Sequence, residues 1–175
     1  MQRSELEHII RASGEISGDN EIIIIGSQAI LGQFPSAPVR LLMSMEADVY
    51  PKNNPKMADK VDGAIGEGSS FHKLHGYYAQ GVGERTALLP KDWEARLVPV
   101  NNKNTNGVTG YCLDVHDLAI SKLIAHRPKD LEFVLELVRH EMIQKKTMLQ
   151  RLRQTDLQQS IHSNIRERIK SLFVV

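Results

Sequence analysis

The chain has 175 residues, 41 % of them hydrophobic and 25 % charged, with a formal net charge of +1. Those values describe an ordinary globular chain of one compact domain, or one small domain with a helical appendage, and exclude a chain-wide electrostatic attraction to nucleic acid. The single cysteine, Cys112, excludes an internal disulfide, and no apolar run approaches the ~18 residues of a membrane helix. The opening stretch MQRSELEHII carries acids and no signal-peptide core, so a cytoplasmic protein without membrane attachment is expected.

Taken in order, residues 4–13 place Leu6, Ile9 and Ile10 at helical spacing. A Gly18-Asp19-Asn20 turn follows, and then the β-branched run Ile22–Ile25, read as a strand buried on both faces. SQAILGQF has helical character until Pro35 stops it. Residues 41–50 read as a second strand, and NPKMADKVDGAIGEG as a helix bounded by Pro55 and glycines. Residues 76–82, 95–100 and 108–113 read as further strands, with the polar turn NNKNTNG before the last. From Asp114, an N-cap residue, the spacing becomes helical. Pro128 opens the next helix, with Lys129 and Asp130 in its first turn and Leu131, Val134, Leu135 and Val138 on one face. TMLQRLRQT and IRERIKSLF supply two more. The expected organisation is an α/β core over 1–113, a small mixed sheet flanked by helices, with a helical portion over 114–175 packed on it.

Two stretches carry chemistry. In EIIIIGSQAIL a strand ends on Gly26-Ser27 and opens a helix, which leaves free amides that favour an anion, phosphate above all. Glycine permits close approach, and the Ser27 hydroxyl can cap the helix or donate to a phosphate oxygen. In MEADVYP, Glu46 and Asp48 share one face of a strand, about 7 Å apart. Their mutual repulsion would be removed by a divalent metal, and Mg²⁺ is commonly held by one or two carboxylates plus substrate phosphates. Together and in this order the two motifs describe a seat for a metal-bound triphosphate.

IIIIGSQAI followed by SMEADVYP resembles the Gly-Ser … acid-x-Asp signature of the DNA polymerase β-like nucleotidyltransferase superfamily. LDVHDLAISKLIAHRPKDLEFVLEL is similar to a second signature, found in small bacterial members related to AbiEii-type toxins. The resemblance spans roughly residues 20–140 and implies a polymerase β-like fold. It implies that Gly26 and Ser27 cradle phosphate, that Glu46 and Asp48 bind metal and act in catalysis, and that Lys122 contacts nucleotide or assists transfer. Arg127 and Asp130 match the tail of the second motif and join the nucleotide-binding set. Mg²⁺ is then the implied cofactor and a nucleoside triphosphate the substrate. The acceptor would be RNA or protein, with a cognate antitoxin or toxin as a further partner. The chain departs from the pattern in its first acid, Glu46 instead of Asp, and in a long gap holding Pro35 and Pro38. A third carboxylate on a later strand is not evident: RLVPV carries none, and Glu94 just before it is the candidate.

Plainer readings stand beside these. Gly26-Ser27 is also an ordinary strand-to-helix turn, and Glu46 and Asp48 would suit the solvent face of an edge strand, where charge discourages aggregation. Lys122 and Arg127 would be surface charges, and Asp130 a first-turn acid stabilising a helix dipole. His72 and His75 are spaced like zinc ligands without partners in pattern. Trp93 and Cys112 suit packing. Lys145, Lys146, Arg151, Arg153, Arg166, Arg168 and Lys170 form a solvated face or a grip on an RNA backbone. Without a third acid the chain would be a catalytically degenerate nucleotide-binding or protein-binding module of the same fold. A homodimer built on the C-terminal helices is the structural alternative.

Overall fold

A computed structural model describes residues 1–174. Helix α1 (Arg3–Ser17) ends at Gly18 in the left-handed conformation. Strand β1 (Glu21–Ile24) follows, then a 3₁₀ turn over Ser27–Ala29 and the single helical turn α2 (Ile30–Gln33). Another 3₁₀ turn at Val39–Leu42 precedes β2 (Glu46–Pro51). A turn at Pro55–Met57 runs into α3 (Ala58–Ile65), and α4 (Ser70–His75) and β3 (Tyr78–Gly81) follow. A turn at Trp93–Arg96 leads to β4 (Val98–Val100) and β5 (Thr109–Cys112). Four helices complete the described chain: α5 (Val115–Ala125), α6 (Pro128–Arg139), α7 (Lys145–Arg153) and α8 (Gln159–Leu172).

The five strands form one mixed sheet in the order β3-β2-β1-β5-β4. β1 lies at its centre, antiparallel to β2 and parallel to β5; β3 joins β2 in parallel and β4 joins β5 antiparallel. This is the small mixed α/β sheet expected, with the β-branched run at its most buried place: Ile22 and Ile24 are fully buried. Helices α1 and α3 pack on the sheet and on each other, while α5 packs on α2, α6 and α7.

Three elements differ from the pattern in the sequence. The second strand begins at Glu46 and not near residue 41. Pro38 precedes a turn that sends Leu41 into the core while Met43 and Met45 stay exposed, so the apolar LLMSM run is not a buried strand face. Residues 70–75, to which the sequence assigned no element, form α4, and Ser69 caps its first turn by accepting from the His72 amide. In α6 the buried residues are Asp130, Phe133, Val134, Glu136 and Leu137; Leu131, Leu135 and Val138 are half-buried. Cys112 is buried as expected, its thiol pushed up to about 12 by burial, and Trp93 packs on the core.

The helical half is bolted to the sheet through Asp117 of α5, whose side chain is fully buried. Asp117 accepts from Arg96 Nε at 2.8 Å and Nη2 at 3.2 Å, and Arg151 of α7 lies 3.0 Å away. Arg151 therefore belongs to the interior and not to a free basic face. Replacing one partner of such a buried set leaves uncompensated charge, which costs about 3–5 kcal/mol. Asp117→Ala is expected to lower stability by that amount, read from denaturant unfolding of the variant against the wild type.

Candidate functional site

The antiparallel register of β1 and β2 sets Ile24 opposite Val49, and beyond the ladder the Ile25 amide donates to the Asp48 carbonyl at 3.1 Å. Gly26 therefore lies beside the Asp48 side chain. Its backbone is extended (φ −84°, ψ −170°), a conformation open to any residue, so glycine is required by space and not by angle. A Cβ at Gly26 would fall 1.8 Å from Asp48 Oδ2. The Gly-Ser motif and the acids thus meet in space. The element after Gly26 is shorter than the expected helix, a 3₁₀ turn and one α turn, so its macrodipole is weak. What it presents to a ligand is the amides of a first turn, which have no intrahelical acceptor.

Along β2 the side chains alternate as a strand requires: Ala47 and Val49 are fully buried, while Glu46 and Asp48 are half-buried on the opposite face. Glu46 is held at its position. Ser44 Oγ accepts from its amide at 3.1 Å, and Tyr78 donates its hydroxyl to Glu46 Oε2 at 3.0 Å. Burial first, then that bond, pushes the Tyr78 phenol up to about 12, so it stays a donor. Asp48 is raised above the ordinary aspartate range, mainly by burial and then by the charge of Glu46; Lys122, Arg127 and Lys129 pull it back. Because β2 lies between β1 and β3, the acids do not guard a sheet edge.

Ser27, Glu46, Asp48, Lys122, Arg127 and Asp130 all line one cleft of about 950 Å³. Gly26 lies beside them, against Asp48. Their roles divide. Asp130, the residue at the third position of α6, is fully buried and accepts from Lys122 Nζ at 3.0 Å, from Arg127 Nε at 2.6 Å and from Arg127 Nη2 at 3.3 Å. Burial alone would raise its carboxyl, but these hydrogen bonds outweigh it and hold Asp130 below the usual range. Asp130 is thus the anchor of two cations. Lys122 Nζ also sits 5.5 Å from the centre of the Phe133 ring.

The Glu94 candidate fails. It lies on the Trp93–Arg96 turn and does not line the cleft. The strand beside the acids is β3, and its register sets Gln80 opposite Asp48, in the cleft wall. The residue paired with Asp48 is thus a neutral amide and not a third carboxylate. His72 and His75 have no metal partners; among the described residues no group of three or more His, Cys, Asp or Glu side chains is arranged to hold a metal. Glu46 and Asp48 remain as an oxygen-only pair that could hold a hard cation, with substrate oxygens completing its shell.

Sequence reasoning missed the far wall of the cleft. Lys129, Glu132, Phe133, Glu136 and Arg139 recur at three- and four-residue steps along α6 and face it together, with Arg40 from the Val39–Leu42 turn. That spacing was readable; the direction it faces was not.

A mixed sheet of this order, with paired strand carboxylates beside a Gly-Ser turn, is consistent with a nucleotidyltransferase fold. The sequence carries the assignment further. Residues 4–172 match the profile of a family described as "Nucleotidyltransferase of unknown function (DUF6036)", and the chain belongs to that family. No curated protein and no solved structure matches it.

Two outcomes follow from the charges. The Asp48 carboxyl titrates higher in the fold than in the open chain, so the ionised group costs stability near pH 7 and that cost disappears as pH falls through the folded value. Asp48→Asn is expected to raise Tm by about 2–4 °C at pH 7, the shift of a ~1 kcal/mol gain in a domain of this size, with no gain near pH 3. Asp130 has the opposite sign, because its stabilisation is present above the ordinary aspartate pKa and is lost as pH drops through the depressed folded value. Asp130→Ala is expected to cost about 3 kcal/mol at neutral pH in the same melts, and less in acid.

Proposed function

We propose that this chain transfers a nucleoside monophosphate from a nucleoside triphosphate to an RNA or protein acceptor, with Mg²⁺ held by Glu46 and Asp48. The observation that carries the reading is the approach of Gly26 to the Asp48 carboxylate, with Lys122 and Arg127, both bound to Asp130, lining the same cleft. A phosphate over the Gly26-Ser27 turn would touch backbone amides, the paired acids and two cations at once. When bound, Mg²⁺ would neutralise charge on the phosphates and on the departing pyrophosphate. Lys122 and Arg127, both oriented by Asp130, would steady the triphosphate for in-line displacement at the α-phosphorus. The likeness to AbiEii-type proteins favours a cognate antitoxin or toxin as a partner.

A second reading, a degenerate nucleotide-binding or protein-binding module, is favoured by Gln80, since an amide beside Asp48 cannot take a proton from an acceptor hydroxyl. Calorimetry with ATP, GTP, CTP and UTP in the presence of Mg²⁺ separates nucleotide binders from the rest. The expected result is magnesium-dependent binding of at least one of them. The doubly substituted Glu46→Ala/Asp48→Ala protein is expected to weaken it by more than about 100-fold, beyond the 10–100-fold typical of partners that act through a ligand. Folded protein that binds none of the four overturns both nucleotide readings. Binding without pyrophosphate release in the presence of total RNA and lysate supports the degenerate module.

A further inference from the structure

The cleft holds a second basic station that the proposed triphosphate site does not use. Glu136 of α6, 8 % exposed, gathers two arginines onto one oxygen: Arg139 Nη1 lies 2.5 Å from Oε1 and Arg40 Nη1 lies 3.5 Å from it. His140 Nε2 stands 3.7 Å from the other oxygen. The two guanidinium side chains are 55 % and 76 % exposed and both line the cleft. Each carries five N–H donors in a planar fork, and one shared carboxylate oxygen uses only one from each. The remaining donors of two converging forks are suited to a second anion with several oxygens, phosphate above all.

This station is distinct from the one at Asp130. The two anchoring carboxylates are six residues apart on α6, about 9 Å along the helix axis. Lys122, Arg127 and Lys129 act on Asp48 at one end, and Arg40 and Arg139 stand at the other. A cleft that opposes paired acids with two separate cationic stations can hold two anionic groups at once.

A different observation bears on the same acceptor. An alcohol must lose a proton as it attacks, and the position beside Asp48 that could take it is Gln80. Of the remaining carboxylates in the cleft wall, Asp130 and Glu136 are engaged by cations, and Glu132 is solvent-exposed on α6. A nucleophile that is already an anion at neutral pH needs no base.

We infer that the acceptor is a phosphate monoester, bound by Arg40 and Arg139, whose own phosphate oxygen attacks the nucleotide. This rests on the nucleotidyl-transfer reading and redefines its acceptor by chemistry, a phosphate monoester on RNA or on a small molecule. One acceptor oxygen supplies the electron pair for a new bond to the α-phosphorus. The bond from the α-phosphorus to its bridging oxygen breaks, and pyrophosphate leaves with that pair. The product is a phosphoanhydride joining nucleoside monophosphate and acceptor, and no proton has to be removed from the nucleophile. The phosphate could belong to a small metabolite or to the 5′ end of an RNA strand.

The test pairs each acceptor with its unphosphorylated form: glycerol 3-phosphate against glycerol, and a 5′-phosphorylated oligoribonucleotide against the same strand with a 5′ hydroxyl. Acceptor affinity is read by calorimetry without nucleotide, and pyrophosphate release is read with the triphosphate that binds. The expected result is binding and turnover with at least one phosphorylated acceptor, at least tenfold above its counterpart; which one responds identifies the source. Arg40→Gln/Arg139→Gln is expected to lose that acceptor binding while the triphosphate Kd is kept. Both residues are exposed, and a melting curve verifies the fold. Equal use of the hydroxyl form, with Glu132 or water as base, overturns the inference and leaves nucleotidyl transfer standing. Triphosphate binding without release to either phosphorylated acceptor also overturns it. Loss of all triphosphate binding in the wild type overturns the reading beneath it.

Discussion

The contact between Gly26 and the Asp48 carboxylate organises the rest of the site. The β1–β2 ladder creates it, and the space beside Asp48 leaves no room for a Cβ. Its consequence is that the two halves of the motif meet across hydrogen-bonded strands and not through the chain that joins them in sequence. The connecting residues, with Pro35 and Pro38, can be long without moving the site, because loop length adds little once the ladder sets the register. They supply something else: the Val39–Leu42 turn, which carries Arg40 against α6.

Legibility in the sequence followed the range of the interactions involved. The acids were readable because strand alternation is local, and Glu46 and Asp48 do share a face. The N-cap at Asp114 and the proline at the start of α6 were readable for the same reason, since capping involves neighbours only. Lys122 and Asp130 are eight residues apart on two helices. They meet because His126 adopts a left-handed conformation and Pro128 restarts the helix, folding α6 back along α5. No periodicity announces that contact; the resemblance named both residues for one site without pairing them. Gln80 lay beyond local reading altogether, since its place opposite Asp48 depends on pairing across more than thirty residues. The apolar residues of LLMSM misled for a different reason. Met43 and Met45 are 73 % and 55 % exposed, and exposed apolar side chains are too common to mark a strand.

Helix α6 does more than pack. Its buried stripe contains a carboxylate, Asp130, in line with Phe133, Val134 and Leu137. A buried carboxylate is costly unless paired, and here the pairing draws Lys122 from α5 and Arg127 from the junction. Glu136 repeats the device less than two turns on with Arg40 and Arg139. The helix thus uses two buried acids to draw two groups of cations to one wall, so part of their side-chain freedom is already spent before an anion binds.

The acids themselves weigh against the plain alternative of a charged edge. β2 is flanked by paired strands on both sides, so its charges protect no exposed ladder. Nor does the fold need them, because burial and the Glu46 charge make an ionised Asp48 a cost, which an amide in its place would avoid. A strand interior that keeps two like charges side by side, fixes one with a tyrosine and clears a glycine-sized space beside the other retains them against the interest of stability. Lys122, Arg127 and Lys129 relieve that pair only in part, and the first two are bound to Asp130, so a further cation at the acids would relieve it more directly. On the nucleotidyl-transfer reading proposed above, a metal arriving with its phosphates would supply that relief at the acids, and Arg40 and Arg139 lie beyond its reach at the other end of the cleft.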